Sequence, residues 1–99
     1  MKKTIIASIL CIISALLIDV YAQNIPVSVY VQDLSGQPIG EASVVVKGTN
    51  NGTTTDASGR CTISCPPNAI LVVSYIGYET QEVPVNGSPI LVVTLLESQ

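Results

Sequence analysis

Residues 40–60 read GEASVVVKGTNNGTTTDASGR. Ala42, Val44 and Val46 alternate with Ser43, Val45 and Lys47, the period-two pattern of a strand with one face against a core. Gly48 to Gly52, which includes Asn50 and Asn51, then reads as a hairpin connection, because Gly and Asn accept the positive φ that tight turns demand. Thr53, Thr54 and Thr55 form a β-branched run suited to a short strand. Asp56-Ala57-Ser58-Gly59 turns the chain again, and the Asp side chain is expected to cap backbone N–H groups as an Asx-type turn. A calcium loop would need six or more oxygen ligands, more than Asp56, Ser58 and nearby carbonyls supply.

The same grammar runs outward in both directions. Upstream, Val27, Val29 and Val31 alternate with Ser28, Tyr30 and Gln32, and Asp33-Leu34-Ser35-Gly36-Gln37-Pro38 is a turn cluster. Downstream, Cys61, Ile63 and Cys65 share the inward face of a strand that Pro66-Pro67 ends. Ala69 to Tyr75 is more continuously apolar, as expected near the centre of a sheet. Gly77 breaks it, Tyr78 to Val83 alternates weakly, and Asn86-Gly87-Ser88-Pro89 precedes a last strand, Ile90 to Leu96. No stretch after residue 22 has helical periodicity. About seven short strands separated by turn signals predict an all-β protein, a seven-stranded antiparallel Greek-key sandwich.

Residues 1–22 read as an export signal. Lys2 and Lys3 form a positive start, Thr4 to Ile18 is an apolar run, and Val20-Tyr21-Ala22 offers small residues for cleavage after Ala22. The run is shorter than the ~20 residues of a membrane-crossing helix, so no stable membrane insertion is expected once the signal is gone. Residues 23–99 then form one small domain, near the size at which a single core is barely sufficient. Its cations are Lys47 and Arg60, against Asp33, Glu41, Asp56, Glu79, Glu82 and Glu97. An acidic surface without a basic cluster argues against nucleic acid. The chain has no His, Trp or Phe, so His-based catalysis is excluded and an aromatic-lined sugar cleft is poorly supplied. No enzyme, metal or cofactor is expected.

Export invites a disulfide between Cys61 and Cys65, but spacing opposes it. Four residues of strand span roughly 13 Å, whereas a bridge needs Cα atoms within ~7 Å. Two free thiols acting as small core hydrophobes are expected.

Taken together, Asp33-x-x-Gly36-x-Pro38-Ile39-x-Glu41-Ala42-Ser43-Val44, Lys47-Gly48-Thr49, Gly52-Thr53-x-Thr55-Asp56, Gly59 and Ser74-Tyr75-Ile76-Gly77-Tyr78 resemble the carboxypeptidase-regulatory-like domain. The version they look most like is the N-terminal extension of starch-utilisation-type TonB-dependent outer-membrane receptors. The resemblance runs from about Val27 to Leu96. It implies a transthyretin-like (prealbumin-like) sandwich, a periplasmic or outer-membrane-associated location in a Gram-negative envelope, and no catalysis by the domain itself. Two residues depart from the pattern: Cys61 stands where the family usually has a large aromatic, and Glu41 where glycine is more usual.

Asp33, Gly36, Pro38, Gly40, Gly48, Gly52, Asp56, Gly59 and Gly77 are assigned to turn geometry. Tyr75, Tyr78 and Lys47 are the candidate contact surface. Tyr is favoured at interfaces, and of the two tyrosines one is expected in the core and the other exposed. Lys47 is expected to pair weakly with Asp56 or Glu41 across the hairpin. The partner expected is an envelope protein, with an outer-membrane transport complex among the candidates, met through an edge strand or sheet face. Rival expectations are a carbohydrate-binding accessory and the leading remnant of a receptor.

Overall fold

A computed structural model describes residues 23–99; the expected signal and its cleavage site lie outside the described residues. Seven strands follow in order: β1 (Ile25–Gln32), β2 (Ser43–Val46), β3 (Gly52–Thr54), β4 (Arg60–Cys65), β5 (Ile70–Ser74), β6 (Gln81–Pro84) and β7 (Ile90–Thr94). They form two facing sheets, one of three strands in the order β4-β1-β7 and one of four in the order β3-β2-β5-β6. Among the described residues there is no helix.

The alternation places the core as expected. Val27, Val29 and Val31 of β1, Val44 and Val46 of β2, Ile63 and Cys65 of β4, and Leu71 and Val73 of β5 are buried, joined by Val93 and Leu95 at the C-terminal end. The buried side chains are mostly aliphatic, valine above all, and each valine, leucine or isoleucine contributes about 1.5–3 kcal/mol on leaving water. β-Branched side chains suit this role because their restricted χ1 packs well on a pleated surface. β5 is central in its sheet, between β2 and β6, as its continuous apolar run suggests. Cys65 is completely buried and Cys61 is half-buried against the core, both on β4 with free thiols. Burial pushes both thiols above their ordinary range, and for Cys61 the Asp56 carboxylate adds to it.

The seven-strand sandwich is as read from the sequence, with one pairing that departs from antiparallel. β1 pairs with β4 antiparallel, Val29 opposite Cys61, but with β7 in parallel, Val29 opposite Leu91. No tight turn joins β1 to β7. The chain crosses to the other sheet and back twice between them, so hairpin geometry does not dictate β7's direction.

Candidate interaction surface

Two five-residue turns share one wiring. In Asp33-Leu34-Ser35-Gly36-Gln37, Asp33 Oδ1 accepts from the Ser35 amide (2.9 Å), the Ser35 hydroxyl (2.7 Å) and the Gln37 amide (3.0 Å). In Asp56-Ala57-Ser58-Gly59-Arg60, Asp56 Oδ1 accepts from the Ser58 amide (2.9 Å), the Ser58 hydroxyl (2.6 Å) and the Arg60 amide (3.1 Å). Each glycine has positive φ, 86° at Gly36 and 78° at Gly59. Both carboxyls are held below the usual carboxylate range, chiefly by the serine hydroxyl and then by the backbone amide at the end of the turn. The expected Asx turn at Asp56 is therefore present. These aspartates organise backbone.

The connection from Gly40 to Ala42 holds a feature the sequence reading missed. Thr55, the one buried polar residue among those described, donates from Oγ1 to Ile39 O (2.7 Å) and accepts the Ala42 amide (2.9 Å). It closes the loop around Glu41, whose φ is 61°. That conformation explains why glycine is the more usual residue there.

The three residues assigned to a contact surface do not form one. Lys47 lies beside the start of β5, its amide donating to Ile70 O at 2.8 Å. Tyr75 and Tyr78 lie beyond the far end of the same strand. The tyrosine half of the expectation stands: Tyr78 packs against the core, Tyr75 is 37% exposed, and their ring centroids are 5.9 Å apart. The turn between them is held by the Tyr78 amide on Tyr75 O (3.1 Å) and the Ser98 amide on Gly77 O (2.9 Å). Lys47 pairs with neither Asp56 nor Glu41. Its ammonium reaches Glu82 of β6 (2.5 Å to Oε1), because β5, not the hairpin partner, separates it from the nearest carboxylate on its own face. The pair is half exposed, so it contributes at most ~1 kcal/mol.

Next to Tyr78 lies an open groove of about 760 Å³, lined by Asp33, Leu34, Glu79, Leu96 and Glu97. Burial, followed by the nearby Glu97 and Asp33 carboxylates, pushes the Tyr78 phenol above its ordinary range. Ile76, at the tip of the tyrosine turn, is 92% exposed.

A second apolar surface is the outer face of the three-stranded sheet. Ile90 and Val92 of β7 are 68% and 61% exposed. They line a shallow depression of about 570 Å³ with Ser28, Tyr30, Arg60 and Thr62. The Arg60 guanidinium lies 5.6 Å from the Tyr30 ring centroid, a cation–π contact that occupies the aromatic face there. The outward parity of Ile90 and Val92 was available in the sequence, since Val93 must point inward if the strand is to close the core.

Residues 28–99 match the CarboxypepD_reg-like domain. The chain belongs to that family. It is 50% identical over 68 residues to the TonB-dependent receptor SusC of Bacteroides thetaiotaomicron, covering 69% of this chain and 7% of that receptor. It is 49% identical over 61 residues to the TonB-dependent receptor P39 of Formosa agariphila, covering 61% of this chain and 6% of that receptor. The chain thus spans under a tenth of these relatives' length, in the N-terminal region of SusC-type receptors. Among solved structures, a type II cohesin–X–dockerin complex from Acetivibrio cellulolyticus contains a chain that superposes with a TM-score of 0.57 at 18% identity, over 72% of this chain and 56% of that one. That likeness is one of fold, an all-β two-sheet sandwich. The family is a non-catalytic type of module.

Proposed function

We propose that the protein is a non-enzymatic β-sandwich module of the Gram-negative envelope that makes protein–protein contacts in TonB-dependent nutrient uptake at the outer membrane. The observation that carries this reading is the 50% identity over 68 residues to a TonB-dependent receptor. The surface agrees with it. The turn aspartates are committed to backbone, while apolar side chains stand exposed at the tyrosine turn. A protein partner covers such patches, and a small-molecule site would need an enclosed pocket with converging polar groups.

The test is affinity capture with a tagged 23–99 chain, which carries every strand of the sandwich, from detergent-solubilised envelopes and in parallel from cytosol. Salt-resistant enrichment of an outer-membrane transport component is expected. Recovery of no envelope protein above the cytosolic background overturns the reading.

A further inference from the structure

β7 has β1 as its one strand neighbour among the described residues, so its other side is a sheet edge. Which backbone groups face that edge follows from the parallel pairing. The Ser28 amide donates to Pro89 O (2.8 Å) and the Leu95 amide donates to Gln32 O (2.9 Å). Bonds to β1 therefore use the odd-numbered residues 89, 91, 93 and 95. Since N–H and C=O of one residue point to the same side of a strand and alternate along it, Ile90, Val92 and Thr94 present theirs outward.

The other edges are guarded. β6 carries Glu82 and ends at Pro84, the charge and proline that natural edges use against unwanted pairing. β3 has three residues and starts at Gly52. β4 carries Arg60 and runs into Pro66-Pro67, β3 lies alongside it, and the Asn51 side chain donates to Ser64 O at 2.8 Å. β7, ILVVT, has no charge, proline or glycine.

We infer that the β7 edge is a self-association surface, pairing antiparallel with β7 of a second copy about a two-fold axis through Val92. The outward-facing residues 90, 92 and 94 are symmetric about Val92. The axis therefore sets Val92 opposite itself and Ile90 opposite Thr94 of the partner, with each outward N–H meeting an outward C=O and no slip in register. The rotation keeps sheet faces matched, so the exposed Ile90 and Val92 side chains of the two copies meet on one surface. Charge selects the same site: in an acidic domain, an uncharged strand is where two copies repel least. The product is a continuous six-stranded sheet, β4-β1-β7-β7-β1-β4, formed through an isologous contact. This pairing requires no envelope partner and stands independently of the uptake role.

A single strand seam is smaller than the ~800 Å² per partner of a standard stable interface, so the dimer is expected to be concentration-dependent. Sedimentation equilibrium of the 23–99 chain from micromolar to millimolar concentration is expected to show the mass rising from one domain to two. Val92→Lys is expected to abolish the rise with the fold intact, because Val92 is exposed. Ile76→Lys, at a more exposed isoleucine, is expected to leave it unchanged. In hydrogen exchange, the amides of residues 90, 92 and 94 gain protection with concentration. A monomer across the range, a dimer lost equally with Ile76→Lys, or a dimer without protection at those amides each overturns the proposal.

Discussion

The turns at Asp33–Gln37 and Asp56–Arg60 are built from the same parts, yet they sit in different worlds. Both use an Asp Oδ1 that accepts three hydrogen bonds, and both need a glycine in the left-handed region. A Cβ added at Gly36 meets nothing within 4 Å, while one added at Gly59 falls 2.6 Å from Val31 O and 2.9 Å from Pro38 Cβ. The first turn projects into solvent. The second is locked under β1, where Gly59 O also takes the Val31 amide at 2.7 Å. Local chemistry makes the turn, and the sheet beside it decides how much a change costs.

The contrast can be broken most forcefully at the glycines. Gly59→Ala adds a backbone clash to left-handed strain and is expected to cost on the order of 3 kcal/mol or more, read as a shift in the urea midpoint. Next comes Thr55→Val, which leaves the buried Ala42 amide and Ile39 carbonyl unpartnered beside the second turn. About 2–3 kcal/mol should be lost in the same titration, whereas Ser35→Ala in the exposed turn should cost clearly less. Gly36→Ala carries conformational strain alone and is expected to cost about 1 kcal/mol. If its effect matched that of Gly59→Ala, context would not be what separates the turns.

Glu41→Gly should move stability the other way. It relieves a side chain held at φ 61°, and a gain of about 0.5–1 kcal/mol is expected by thermal or urea unfolding. The smallest effect is with pH. Both turn aspartates have carboxyl groups held below the usual carboxylate range by the serine hydroxyl and the turn amides. Each contributes stability that is present above the unfolded-state value and is lost as pH falls through the folded one. Stability should therefore decline below about pH 4, and Asp33→Asn with Asp56→Asn should flatten that decline.

Much of this architecture was legible in the residues. Alternating valines place β1 and β2, and Asp-x-Ser-Gly places the turns, because these signals act over two to four residues. What stayed hidden depends on neighbours distant in sequence. Lys47 finds Glu82 across β5, which nothing near Lys47 announces. Thr55 reads as one more strand threonine, and only the loop folded over it reveals a buried double hydrogen bond. The parallel direction of β7 was equally invisible, since it follows from where the chain re-enters the first sheet. The candidate surface divided in the same way. The tyrosine turn was found by its aromatic content, while the β7 edge emerges only once strand order shows which side lacks a neighbour.

The central place of β1 also bears on how the domain comes into being. Its partners are residues 60–65 and 90–94, so in a chain emerging in sequence order the first strand waits for β4, and its second side stays open until β7 follows. The hairpin of β2 and β3, and then β5 and β6, can close early, because they are near one another along the chain. The three-stranded sheet closes across long loops whose entropy must be overcome first, a topology that favours slow folding. Such a polypeptide completes its three-stranded sheet only when its final strand arrives.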